Sequence, residues 1–105
     1  MILVNFFKRN SEYLGFQISG HAGYDDVGMD IACASVSSAV QLTANTITDF
    51  MNIKADVDVT SNIISLKINE DCARMGSIMI ESLKCHLELL SQQFDETITI
   101  KATEV

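Results

Sequence analysis

Residues 31 to 48, IACASVSSAVQLTANTIT, contain no charged side chain, and this stretch limits the possible folds more than any other part of the chain. Ser, Thr, Gln and Asn are spread through it, so it is unsuited to a bilayer span. Projected at about 100° per residue, Ala32, Val36, Ala39, Val40, Thr43, Ile47 and Phe50 form one stripe, with Ser38, Gln41 and Asn45 opposite. The pattern predicts a helix over residues 31–51 with an uncharged polar face. Such a face is usually covered, by another helix or by a second subunit, and a homodimer is the expected assembly.

On both sides of this segment the apolar period falls to two. Residues 2–7 (ILVNFF) are rich in β formers, and in 13–19 (YLGFQIS) Leu14, Phe16 and Ile18 alternate onto one face, so two strands joined through KRNSE form a hairpin. Residues 53–59 set Ile53, Ala55, Val57 and Val59 inward and Lys54, Asp56 and Asp58 outward. After Thr60-Ser61-Asn62, where Asn62 suits a left-handed turn, Ile64, Leu66 and Ile68 resume the alternation. A last strand is expected in TITIK, 97–101. A second helix over residues 71–94 turns Cys72, Met75, Met79, Leu83, Leu90 and Phe94 to one side and Arg74, Glu81, Lys84 and Glu88 to the other. His86 lies near its apolar stripe, roughly 21 Å along the axis from Cys72 at the rise of an α-helix. These two share neither a metal nor a proton, so His86 reads as a hydrogen-bonded structural histidine. The order ββαββαβ predicts an α+β fold, a mainly antiparallel sheet packed with two helices in a single domain over residues 1–105. A chain of 105 residues, 48% hydrophobic, needs no disulfide or metal to build one core.

The net charge of −7 argues against direct contact with nucleic acid, because the seven Lys and Arg are scattered and form no basic stripe. The same acidity would speed encounter with a basic partner. The opening MILVNFFKRN puts its apolar run before its basic pair, the reverse of a secretory signal. Cys33, Cys72 and Cys85 are odd in number and match neither a zinc spacing nor a CxxC pair, so reduced thiols in a cytoplasmic protein, with no metal or cofactor, are expected. Cys72 and Cys85 read as helix packing residues.

The segment GHAGYDDVGMDIAC, residues 20–33, holds three of the five glycines and follows neither period. Loops of this kind are where binding and catalytic residues gather. Asp30 suits the N-cap of a helix beginning at Ile31, which would put Cys33 at the third helical position. The unpaired amides there would favour a thiolate and could hold an oxyanion. His21, at the end of the second strand, could fold back over that helix start to make a thiol and imidazole pair. Residue type alone points elsewhere: free Cys is among the most buried residue types, and Asp30 reads as a cap before it reads as a third catalytic member. Ser37, one turn below Cys33, could support the site or satisfy a backbone carbonyl. Gly20, Gly23 and Gly28, with Tyr24 and Val27, make the segment 22–29 a candidate mobile lid over a bound substrate.

GHAGY, then Cys33 twelve positions after His21, then DIACASVS, resembles the signature of the bacterial ribosomal-processing cysteine protease family. The motif spans residues 20–37, and the element order and length agree over the whole chain. The resemblance implies that His21 and Cys33 are a catalytic pair preceded by Asp30. It further implies a homodimer that removes a short N-terminal extension from ribosomal large-subunit protein twenty-seven, a basic partner, by cutting after paired Phe residues. Asp25, Asp26 and Met29 occupy variable positions of the loop and bear on substrate preference. The rival readings are a non-enzymatic ribosome-assembly binding module and a thiol redox protein, the second lacking a resolving cysteine within reach of Cys33.

Overall fold

Ile2, Val4 and Phe6 alternate with Leu3 and Asn5 along the first segment, and in the computed structural model the first three are at most 1% exposed while Leu3 is 50% exposed. This alternation gives the sheet one buried face and one solvated face. The structure describes residues 1–20, 27–60 and 63–105, and for 27–30 the backbone alone. The elements are β1 (Ile2–Arg9), β2 (Glu12–Ser19), α1 (Val27–Asn45) continuing into a π-helical turn (Thr46–Phe50), β3 (Ala55–Val59), β4 (Ile63–Ile68), α2 (Ala73–Gln93) and β5 (Ile98–Glu104). The order ββαββαβ and the α+β class are therefore as the residue pattern predicts. The five strands lie in the order β3-β4-β2-β1-β5. All pairings are antiparallel except β1 with β5, which run parallel because the chain returns through α2.

One irregularity in the first hairpin ties sheet to helix. Phe7 pairs with Gly15 and Lys8 with Tyr13, so Leu14 is an extra residue in β2, a β-bulge. Around the bulge both neighbours are buried: Leu14, expected inside, is 8% exposed, and Tyr13 joins Phe16 and Ile18 in the core cluster, its ring meeting Phe6 edge-on at 6.1 Å. The Tyr13 N–H donates to the buried Ser77 hydroxyl on α2 at 2.7 Å.

The α1 stripe is as predicted for Ala32, Val36, Val40, Thr43 and Ile47, all at most 3% exposed. Its hydroxyl-bearing residues are accommodated within the helix, Thr43, Thr46 and Thr48 each donating to the carbonyl four residues back. Phe50 departs from the stripe and is 81% exposed. In the π turn the Met51 N–H reaches the Thr46 carbonyl, five residues back, so the angle per residue shrinks and a projection at the α-helical period fails there.

In α2 the buried positions are Ala73, Gly76, Ser77, Ile80, Leu83, Leu87 and Leu90. The stripe predicted from the larger side chains is rotated: Met75 is exposed, and Cys72, Met79 and Phe94 lie at its margin. The small residues of the first two turns decide this, since Gly76 lets the helix settle directly on Ile68. Two further expectations fail. Cys85 and His86 are exposed, not packed. Val57 and Val59 pair with Leu66 and Ile64 and so share the helix-bearing face, but β3 is an edge strand beyond the reach of either helix, leaving them 47% and 64% exposed. Asn62 lies outside the described residues.

Replacing Ser77 by Ala leaves a buried N–H at Tyr13 without its acceptor. The expected loss is about 1–3 kcal/mol, read as a lowered midpoint in thermal or urea unfolding. An unchanged midpoint would show that the bulge does not depend on α2.

Candidate active site

The strand order brings four strand ends together: the start of β1, the end of β2, the end of β3 and the start of β4. The early turns of α1 lie over this end of the sheet. Between them is a cleft of about 180 Å³ lined by Ile2, Ile18 and Gly20, by Cys33, Val36 and Ser37 of α1, and by Val59, Thr60, Ile63 and Ile64. Cys33 is partly buried there and packs against the core, and its thiol is free, as are those of Cys72 and Cys85.

Helix α1 begins at Val27, not at Ile31. Cys33 is therefore its seventh residue, and its amide is taken up in the helical ladder. The expected activation of Cys33 by first-turn amides, and the use of those amides for an oxyanion, lose their geometric basis. Asp30 is likewise inside the helix, so the N-cap reading is overturned. The periodicity of an α-helix puts positions 30, 33 and 37 on one face. Ser37 joins Cys33 in lining the cleft, whereas the Asp30 side chain lies outside what is described.

Gly20 ends β2 with φ +82°, in the left-handed region, and any β-carbon there would run into the Met1 carbonyl oxygen. Only glycine fits both demands. It lines the same cleft as Cys33 and is followed directly by His21. His21, Gly23 and Tyr24, with Asp25, Asp26 and the greater part of the expected lid, lie outside the described residues. Gly28 falls in the first turn of α1, as do Val27 and Met29.

A second and larger concavity, about 580 Å³, runs between the two helices and is lined by residues including Ala34, Ser38, Leu42, Met79, His86 and Leu90. His86 thus faces an open groove, and among the described residues it lacks the hydrogen-bond partner that its position suggested. Among the described residues no three His, Cys, Asp or Glu side chains are grouped as a metal would need. Nor, among them, is any helix long and apolar enough to cross a membrane.

The family model described as cysteine protease Prp matches residues 1–99. Among solved structures, the fold is similar to that of the essential ribosomal processing protease Prp from S. aureus in complex with a substrate peptide. That match has a TM-score of 0.87 and 16% identity, over 98% of this chain and 100% of that one. The same S. aureus protease with a covalently linked product peptide matches with a TM-score of 0.86 and 17% identity, over 98% and 100% of the two chains. A protein from Streptococcus mutans matches with a TM-score of 0.86 and 20% identity, over 100% of this chain and 96% of that one. At these identities the structural likeness carries the fold alone. A comparison with curated proteins gives no match.

Gly20→Ala must either adopt a strained left-handed conformation or move β1 away from β2. A loss of about 2 kcal/mol, roughly 10 °C in Tm, is expected from the steric cost of that region and the blocked approach to Met1. Retention of the parent Tm would remove Gly20 from the set of residues that fix this end of the sheet.

Proposed function

Since this chain belongs to the cysteine protease Prp family, we propose that Cys33 is the nucleophile and His21 the base of a peptidase acting on a basic ribosomal protein. The observation that carries this is the shared cleft: Cys33 lines it, and so does Gly20, the residue that precedes His21. With the thiol displaced from the helix start, an adjacent base becomes the main source of thiolate.

In the proposed reaction His21 takes the proton from the Cys33 Sγ, and the sulfur adds to the scissile carbonyl carbon. The tetrahedral adduct collapses to a thioester as the C–N bond breaks, and the imidazolium gives its proton to the departing amine. Water, deprotonated by His21, then attacks the thioester carbon, releasing the carboxylate product and restoring the thiol. Ser37 is the described hydroxyl donor one turn along α1, and it takes the supporting role at the oxyanion that the helix amides cannot fill. Asp30, no longer occupied as a cap, takes the role of orienting His21. In the segment before α1, Gly23 serves as hinge and Tyr24 as cover for the bound peptide, whereas Gly28 belongs to the first turn of α1 and not to the loop.

The S. aureus relative is described as a ribosomal processing protease, and the sequence signature implies the finer reading: a ribosomal large-subunit protein with an N-terminal extension, protein twenty-seven, processed in the cytoplasm during ribosome assembly. The acidic chain, −7 against a basic ribosomal protein, favours that encounter. We assign the uncharged face of α1 to a homodimer, with Leu42 of α1 and Ile78 and Leu89 of α2, at 66%, 69% and 57% exposure, as the apolar groups to be covered. Light scattering reads a molecular mass near twice 11.6 kDa if so.

Incubation with the extended ribosomal protein should shorten it, as read by mass spectrometry. Cys33→Ala and His21→Ala should each lower the rate on the order of 10³-fold. An intact partner retained in complex would instead mark a binding module.

Alkylation offers an independent check. Cys85 is exposed and Cys33 only partly so, hence exposure alone favours Cys85. Limiting iodoacetamide near neutral pH should nevertheless label Cys33 first, and His21→Ala should reverse the order. Labelling at Cys85 first in the unaltered protein would count against an activated thiol.

A further inference from the structure

Strand β3 is an edge of the sheet and lacks the usual guards of one. It pairs with β4 in unbroken one-to-one register, no strand lies on its other side, and ADVDV contains no Lys and no Pro. Among the described residues the backbone N–H and C=O groups on that side have no partner strand, so they are available to a further extended segment. The strand also leads into the site: its last residue, Val59, and the following Thr60 line the cleft that holds Cys33.

The side chains along this edge are of two kinds. Val57 and Val59, both exposed, lie on the helix-bearing face, and Asp56 and Asp58 lie on the open face. Asp56 is in register with Lys67, but the Lys67 stem crosses Gly15 and its Nζ lies 5.9 Å from the centre of the Phe7 ring, toward the middle of the sheet. Among the described residues the ion pairs are Arg9 with Glu70 and Lys84 with Glu88, so neither β3 carboxylate has a basic partner. Beside them the open face has a concavity of about 530 Å³, lined by Asp56, Asp58, Ser65, Gln17, Lys67 and Phe7 among others. With Lys67 turned to Phe7, the β3 side of this hollow offers carboxylates and neutral polar groups, which suit the head of a Lys or Arg side chain whose stem lies along the sheet.

A second copy of β3 is a poor occupant. In the register that keeps the faces of two sheets continuous, Asp56 and Asp58 of one copy would stand opposite those of the other, and like charges directly opposite destabilise a strand pair. The same carboxylates favour a strand with Lys or Arg at alternate positions and small or apolar residues between them. We propose that β3 is a docking edge for such a segment of the substrate, which adds to the sheet as a further strand and leads the scissile bond into the cleft. The inference rests on the protease reading of Cys33. The five residues of β3 extend about 17 Å, so the basic residues concerned lie within roughly eight positions of the bond to be cut.

The test uses peptides spanning the processing junction of the extended ribosomal protein, with the residues adjoining the scissile bond held constant and Lys, Gln or Glu placed at alternate flanking positions. At low ionic strength the unaltered protein should cleave the Lys peptide with a kcat/KM about 10-fold above the Gln peptide, the effect lying in KM. Asp56→Asn with Asp58→Asn should reduce that ratio to about 2-fold or less, and Asp56→Lys with Asp58→Lys should favour the Glu peptide. Glu81→Gln with Glu88→Gln, the same change of charge on the exposed side of α2, should leave the ratio as it is. Proline at a flanking position removes a strand N–H and should raise KM about 10-fold where that position pairs with β3. All four substituted positions are exposed, and an unchanged Tm certifies each fold.

A ratio that the β3 substitutions leave unmoved, or that the α2 pair moves equally, overturns the docking edge, while continued cleavage leaves the protease intact. Binding of the same peptides to Cys33→Ala protein is followed by fluorescence anisotropy. Charge-dependent binding that Asp56 and Asp58 control, in a protein whose unaltered form cleaves nothing, supports the edge and removes the protease reading. Absence of both cleavage and charge-dependent binding overturns both.

Discussion

Burial of the α1 stripe against the sheet is the interaction on which the rest depends. Ala32, Val36 and Val40 are covered by the same core that contains Ile2, Ile18 and Leu66. Burial of a Val or Ile side chain is worth about 1.5–3 kcal/mol, so the early turns of α1 are fixed from one side by several such contacts. Cys33 lies one residue after Ala32 and three before Val36, at the margin of that stripe. Its partial exposure follows from this geometry: enough packing to hold the thiol in place, and one side open to the cleft.

The sheet supplies the second half of the arrangement. Antiparallel pairing of β2 with both β1 and β4 gathers strand ends beneath α1. The left-handed turn at Gly20 releases the chain from β2 at that same edge, immediately before His21. Two segments that are distant in pattern, a strand end and a helix flank, are thereby brought to one cleft by elementary rules of pairing and burial. The bulge at Leu14 and the Ser77 hydroxyl that answers it hold β2 in register with α2 from the other end.

Much of this is legible in the residues. Periodicity alone gives five strands, two helices and the α1 stripe through Ile47, because those segments obey one period each. It errs where the period breaks for a reason that residue types do not display. The bulge adds Tyr13 to the buried side beside Leu14, the π turn throws Phe50 outward, and the small residues Ala73, Gly76 and Ser77 set the contact face of α2 ahead of its methionines. An edge strand cannot be distinguished from a central one by its own alternation, which is why Val57 and Val59 were expected inside. That Val59, Thr60, Ile63 and Ile64 line the cleft has no signal beyond that of strand formers, since it depends on which strand ends meet. The start of α1 at Val27 shows the limit of capping rules: Asp30 has the right chemistry for a cap and sits three residues beyond the helix start.

The displacement of Cys33 to the second turn of α1 changes what the chemistry must rely on. A thiol at a helix start shares the positive end of the dipole, and that effect fades within the first turn. Under the proposed reaction, Cys33 at its seventh position relies on a side-chain base and on donors such as Ser37. The most direct measurement is therefore chemical capture of the intermediate. Acid quenching within the first turnovers on a peptide ester, followed by intact-mass and fragment analysis, should show the acyl half of the substrate joined as a thioester to Cys33 and nowhere else. An acyl group on Cys85, or hydrolysis with no adduct on Cys33 at any time, would contradict the account.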